Sequence, residues 1–236
     1  MEFKKFTEHE VRTIHTNVVK KDISYISKYD VLDQKLINFL DNIFSHDNYK
    51  WDSRDYSRVR TILDFKEWVE KYKIVSKNLA YTYIDDPEMK LLEFNNSTLI
   101  EYNSINLSGD LHDLNHYEKY DFFLFNQTLE HLYNPFLSVS NIYNSLVDGG
   151  YVFTSVPTIN IPHSMPIHFN GFTPIGLAML FKSCGFEVLE IGQWGNYEYL
   201  TKLFLNHQWP GYKDLSDNGI KNEERNVVNC WILAKK

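Results

Sequence analysis

Residues 120–157 read YDFFLFNQTLEHLYNPFLSVSNIYNSLVDGGYVFTSVP, and this stretch sets the architecture. Residues 122–125 form a continuous apolar run with the length and aromatic content of a strand buried on both faces. The run ends in Asn126, Gln127 and Thr128, so polar groups gather at its carboxyl end. Asn134 before Pro135 starts a helix, because Asn caps orphan amides and a proline at the first helical position forfeits no needed donor. Phe136, Val139, Ile142, Tyr143 and Leu146 then recur every three or four residues as one apolar face, with Gly149 and Gly150 read as the stop. Residues 151–156 are β-branched and aromatic, hence the next strand. Strand, helix and strand over this length make a right-handed crossover of a parallel sheet.

Downstream, residues 157–174 (PTINIPHSMPIHFNGFTP) are too rich in proline and polar residues to be regular. A loop this long, carrying two histidines and several aromatics, favours function. Thr173 and Pro174 open a helix with Leu177, Leu180, Phe181 and Cys184 on one face, closed by Gly185. Residues 186–191 read as a strand, 192–226 as an aromatic and polar excursion, and 227–234 as a closing strand. Trp194, Trp209 and Tyr212 in that excursion are read as packing residues, with a sugar platform as the alternative.

Upstream, residues 79–84 (LAYTYI) and 98–102 (TLIEY) are strand candidates, separated by at most two helical turns over 87–94. Only a short third strand or extended segment fits over 103–108, before the Gly109 turn. Residues 1 to about 75 are charged and helix-like, with apolar spacing at Leu32, Leu36, Leu40 and Phe44 and again at Ile62, Phe65, Val69 and Tyr72. They read as two or three helices forming a cap over 1–75, ahead of a sheet domain over 76–236. Residues 45–58 are the polar, aromatic-bearing link between those helices.

Across 236 residues the net charge is −7 and no Lys/Arg block stands out. A nucleic-acid backbone therefore has no electrostatic match here, and a small or neutral substrate is the better expectation. No apolar run approaches the ~20 residues of a membrane helix and the amino terminus lacks a signal-peptide core, so no membrane partner and a cytoplasmic location are expected. A homo-oligomer is left open. Cys184 and Cys230 read as buried free thiols rather than a disulfide.

An open parallel sheet binds its ligands at the carboxyl ends of its strands. The polar groups there are Asp85 and Asp86, Glu101 or Asn103, residues 110–113, and residues 126–131. An acid after an early strand can accept both ribose hydroxyls, and Asp110 can accept from an adenine amino group. These are the contacts a nucleoside cofactor requires.

Gly109-Asp110-Leu111-His112-Asp113-Leu114, Tyr120-Asp121-Phe122, Leu129-Glu130-His131-Leu132 with Pro135, Leu146-Val147-Asp148-Gly149-Gly150, Pro157, His168, Phe172-Thr173-Pro174 and Gly185-Phe186 occur in that order. The series resembles the middle and late motifs of class I S-adenosylmethionine-dependent methyltransferases. More narrowly it is similar to a compact branch, often found with sugar and cell-surface polymer genes, that carries GDxHDL and LEHxxxP. The resemblance covers about residues 79–236. It implies an α/β fold with a Rossmann-like sheet, mostly parallel with one late antiparallel strand, behind a helical amino-terminal appendage. It also implies S-adenosylmethionine as cofactor, with Asp85, Asp86, Glu101, Asp110, Leu111, His112, Asn126 and Gln127 on the cofactor side. The family's first strand runs into a glycine-rich turn, whereas residues 83–88 here contain no glycine.

The activity implied is methyl transfer to a small hydroxyl-bearing acceptor, such as a sugar or nucleotide-sugar. His131, His163 and His168 are the base candidates, since a neutral imidazole suits that task near pH 7. His168 or His163 is favoured as base, with His131 or Glu130 shaping the pocket. Glu130 and His131 can equally be anchoring their loop and capping the next helix. No metal is expected, because the histidines show no i, i+4 pair and no Cys partner. The alternatives are an inactive binding subunit of the same fold, motivated by the missing glycines, and a metal-dependent hydrolase built on the His-rich loop.

Overall fold

The computed structural model describes residues 4–45, 50–102, 109–163 and 167–236, with the backbone alone for 24–27. Six strands form one sheet: β1 Val75–Tyr81, β2 Glu93–Leu99, β3 Tyr120–Leu124, β4 Leu146–Pro157, β5 Glu187–Trp194 and β6 Asn229–Lys235. Their order is β2-β1-β3-β4-β6-β5. β2, β1, β3 and β4 are mutually parallel, and β6 runs antiparallel to both β4 and β5. The expected α/β sheet with one late antiparallel strand is therefore the one formed. The expected segment at 103–108, including Asn103, lies outside the described residues, as do residues 46–49 of the polar link.

β3 is buried on both faces because its side chains alternate between two cores. Phe122 and Leu124 join one cluster, and Phe123 and Phe125 the other. The first is covered by helices α3 (Gln34–Ile43) and α4 (Tyr56–Tyr72). The second is covered by α5 (Pro135–Ser145) and α6 (Pro174–Ser183), with Val19 contributed by the π-turn between α1 (Glu8–Ile14) and α2 (Lys20–Ile26). The caps of α5 and α6 are as expected: Asn134 accepts from the Leu137 amide at 3.1 Å and Thr173 from Gly176 at 3.2 Å.

Three sequence expectations shift. β1 spans 75–81 rather than 79–84, and residues 82–86 already belong to the turn. β2 begins at Glu93, five residues before the predicted strand, after a single 3₁₀ turn at Pro87–Leu91. Both offsets arise because hydrogen bonding to a parallel neighbour, not alternation along the chain, delimits these strands. Gly149 and Gly150 do not stop α5, which ends at Ser145 as β4 begins. The pairing jumps from Tyr120 with Leu146 to Phe122 with Tyr151, so residues 147–150 loop out. Gly149 takes φ +79°, open to glycine without strain, and a Cβ on Gly150 would stand 2.9 Å from the Val147 carbonyl oxygen.

The late excursion contains a helix, α7 (Tyr197–Asn206), capped by Asn196. Trp194 is fully buried and Tyr212 packs on Trp51 and Tyr56 at centroid distances of 5.0 and 5.6 Å, so both are packing residues. Among the described residues no helix is long and apolar enough to cross a membrane.

Candidate active site at the carboxyl ends of the central strands

Beyond β3 the chain must turn out of the sheet, and it does so at Gln127, in the left-handed region at φ +47°. Apart from Asn126 Nδ2, the side-chain polar groups at this turn are tied into the protein. Asn126 accepts from the Ser155 amide at 2.9 Å and from the Ser155 hydroxyl at 3.0 Å. Gln127 donates to Ser155 Oγ at 3.2 Å and to Asn229 Oδ1 at 3.3 Å. Two of the residues assigned to the cofactor side thus form the floor beneath the strand ends.

Arg58, in the first turn of α4, crosses onto this floor. Its guanidinium donates to Ser155 Oγ at 2.6 Å, Asp86 Oδ1 at 3.2 Å and Glu88 at 3.5 Å. Asp86 and Glu88 are buried, whereas Asp85 beside them is exposed. Sequence reasoning singled out Asp86 but missed Arg58, Glu88, Ser155 and Asn229. One signal was present: a cation in a helix's first turn opposes the macrodipole and calls for an acidic partner elsewhere.

Burial, and then the charge of Glu88, raise the Asp86 carboxyl to about 8 despite Arg58. Burial raises Glu88 as well, and lifts Glu130 to about 7. An acid whose folded pKa exceeds its unfolded value binds its proton more tightly when folded. Its contribution to stability therefore falls as pH climbs, for Asp86 from its unfolded value of 3.8 through about 8. The unfolding free energy in denaturant should accordingly decline between about pH 5 and 8, with Asp86→Asn flattening the decline. An unchanged slope in that variant would show that Asp86 is not the titrating group.

On the β2 side, Gly109 takes φ +71° and lies so close to Glu101 that a Cβ would overlap the Glu101 carbonyl oxygen. The glycine thereby lets its own main chain, just before Asp110, approach the Glu101 carbonyl. Glu101 is exposed. Asp110 Oδ1 accepts from the His112 amide at 2.9 Å and lies 2.6 Å from His112 Nδ1. His112 Nε2 accepts from the Asn134 amide at 3.2 Å, so His112 is the neutral Nδ1–H tautomer, stacked on Tyr133 at 4.0 Å. Leu111 is buried against the second core. Asp110, Leu111 and His112 therefore form a rigid turn one side of which faces the end of β2.

The three base candidates converge. His131 lies 5.0 Å from His163 and 6.2 Å from His168, and His163 lies 4.9 Å from His168, centroid to centroid. Main-chain bonds fasten the His168 end of this trio to the LEH turn. The Glu130 carbonyl accepts from the Phe169 amide at 2.8 Å and the Asn170 amide at 3.2 Å, and Asn170 Nδ2 donates to the Leu132 carbonyl at 2.8 Å. The loop after β4 is thus fastened onto the LEH turn. Trp209 closes over it, edge-on to His163 at 5.9 Å and donating to Asn160 at 2.9 Å. Burial lowers the pKa values of His131 and His168, which keeps both neutral at pH 7.

No family model matches this chain, and no curated protein matches it. Among solved structures, the N-methyltransferase NodS from Bradyrhizobium japonicum WM9, in complex with S-adenosyl-L-homocysteine, is similar to it at 12% identity. That match covers 85% of this chain and 98% of NodS with a TM-score of 0.50. A SAM-dependent methyltransferase from Archaeoglobus fulgidus is similar at 18% identity over 76% of this chain and 95% of its own, with a TM-score of 0.49. The strand order and the likeness to NodS show the Rossmann-like fold of the class I methyltransferases.

Proposed function

We propose that the chain is an S-adenosylmethionine-dependent methyltransferase, working in the cytoplasm on a hydroxyl of a small acceptor such as a sugar or nucleotide-sugar. The observation that carries this reading is the close approach of Gly109 to the Glu101 carbonyl, which brings the main chain before Asp110 up to the exposed Glu101 at the strand end where this fold offers a nucleoside its contacts. Two buried free cysteines accord with a reducing compartment.

The donor set at the first turn fits the cofactor's amino-acid end by charge. That end is a zwitterion, and the turn would offer the Arg58 guanidinium to its carboxylate and Asp86, whose Oδ2 has no hydrogen-bond partner and which a bound ammonium would hold in its ionised form, to its ammonium. Side chains here take the place of a glycine-rich backbone. Glu101 holds the ribose hydroxyls and Asp110 the adenine amino group. When bound, the cofactor supplies an electrophilic methyl group on a sulfonium. His168, neutral at pH 7, takes the proton of the acceptor hydroxyl, while Glu130 and Trp209 shape the acceptor side.

Calorimetry tests the reading. Millimolar S-adenosylmethionine should give binding heat and a thermal shift. Glu101→Ala removes a hydrogen-bonded charge contact of about 1.5–3 kcal/mol, weakening binding about tenfold or more. No heat and no shift in the wild type would sink the enzyme reading. A second reading, an inactive binding subunit of the same fold, is favoured by the closure of the first turn, where Asp86, Pro87 and Glu88 are all buried. Methyl transfer that Asp110→Ala abolishes would exclude it.

A further inference from the structure

Glu130 is fully buried, yet neither of its carboxylate oxygens has a hydrogen-bond partner. A buried carboxylate in that condition needs a cation or a proton. Arg58 acts on it only through space, since the guanidinium's hydrogen bonds go to Asp86, Glu88 and Ser155.

Beside this carboxylate two of the three imidazoles share one pattern. His131 Nδ1 lies 2.9 Å from the Ile167 carbonyl oxygen and His163 Nδ1 lies 3.1 Å from the Ile161 carbonyl oxygen. A carbonyl only accepts, so each Nδ1 carries the proton and each Nε2 presents a bare lone pair. This is the arrangement by which metal-ligating histidines are oriented, with the second ring nitrogen donating to a main-chain carbonyl. His131 Nε2 stands 3.8 Å from Glu130 Oε1, and the ligand atoms of Glu130, His131 and His163 all lie within 4.8 Å of one another.

We propose that Glu130, His131 and His163 bind a zinc ion. Two imidazoles and one carboxylate are a zinc donor set that leaves a fourth position open to water or an acceptor oxygen. Bonds of about 2.1 Å in a tetrahedron place ligand atoms roughly 3.4 Å apart. The Glu130–His131 pair is already within half an ångström of that spacing. Closing the rest requires a small movement of His163, which is carried by the irregular loop rather than by a strand or helix. Spacing along the chain argued against a metal, since no histidine pair falls at i, i+4. Glu130 and His131 instead adjoin along the chain, and His163 reaches them from the loop after β4, held by its own bond to the Ile161 carbonyl.

The test uses the full chain, stripped with a chelator and titrated with zinc chloride in a calorimeter. One equivalent should bind, and Glu130→Gln and His163→Ala should each weaken it by about tenfold or more. His207→Ala, which removes an exposed histidine elsewhere, should bind zinc as the wild type does. Circular dichroism of each variant establishes that it is folded. Absence of a saturable one-to-one heat in the wild type overturns the proposal, as does a folded His163→Ala that binds zinc undiminished. Neither result bears on S-adenosylmethionine binding, which is read separately.

Discussion

Arg58→Met should destabilise the protein by about 3–5 kcal/mol, the range for leaving a buried charge without its partner. At this chain length that lowers Tm by about 10 °C. The side chain is 18% exposed, Asp86 4% and Glu88 fully buried, so solvent cannot substitute for the missing cation. The loss has a diagnostic shape: it grows as pH rises through the carboxyl titrations, and Asp86→Asn in the Arg58→Met background recovers part of it. Thermal unfolding at pH 6 and pH 9 checks both points. A change in Tm below about 2 °C at pH 9, at most about 1 kcal/mol for a chain of this size, would mean that Arg58 is not the counter-ion of this cluster.

Gly192→Ala should cost about 4 kcal/mol through two effects at one place. A Cβ on Gly192 would stand 2.6 Å from Trp231 Cε2 and 2.8 Å from Asp64 Oδ2, all within a buried region. Overpacking of that kind costs about 1–3 kcal/mol. The Trp231 indole donates to Asp64 Oδ2 at 2.9 Å, and separating them leaves a donor and an acid without partners, worth a further 1–3 kcal/mol or so. Trp231→Phe removes the donor without the intrusion and should lose less than Gly192→Ala. Denaturant titration of the two variants orders them, and the reverse order would refute the overpacking argument.

The two results would separate the roles of the amino-terminal helices. α4 supplies Arg58 to the site at one end and Asp64 to the sheet at the middle, so the helix that covers the first core also furnishes the cation for the strand ends. The zinc proposal and the methyltransferase reading divide the histidines between them. His131 and His163 face Glu130, and His168 remains for the proton.

The crossover at 120–157 was legible in the chain because its signals are local. A double-faced apolar run, an Asn-Pro helix start and an aromatic strand each depend on neighbours within a few residues, and the cap of α6 at Thr173 follows the same logic. Glu101, Asp110 and the three histidines were legible as residue types at strand ends. Their company was not. Arg58 meets Ser155 across 97 positions, and His131 meets His163 from the far side of the loop after β4. The bounds of β1 and β2, the looping out of 147–150 and the pairing of the buried charges were likewise decided by the tertiary structure. Local propensity selects the element, but strand ends, ion pairs and ligand clusters are set by which distant backbone groups find hydrogen-bond partners once the sheet is assembled.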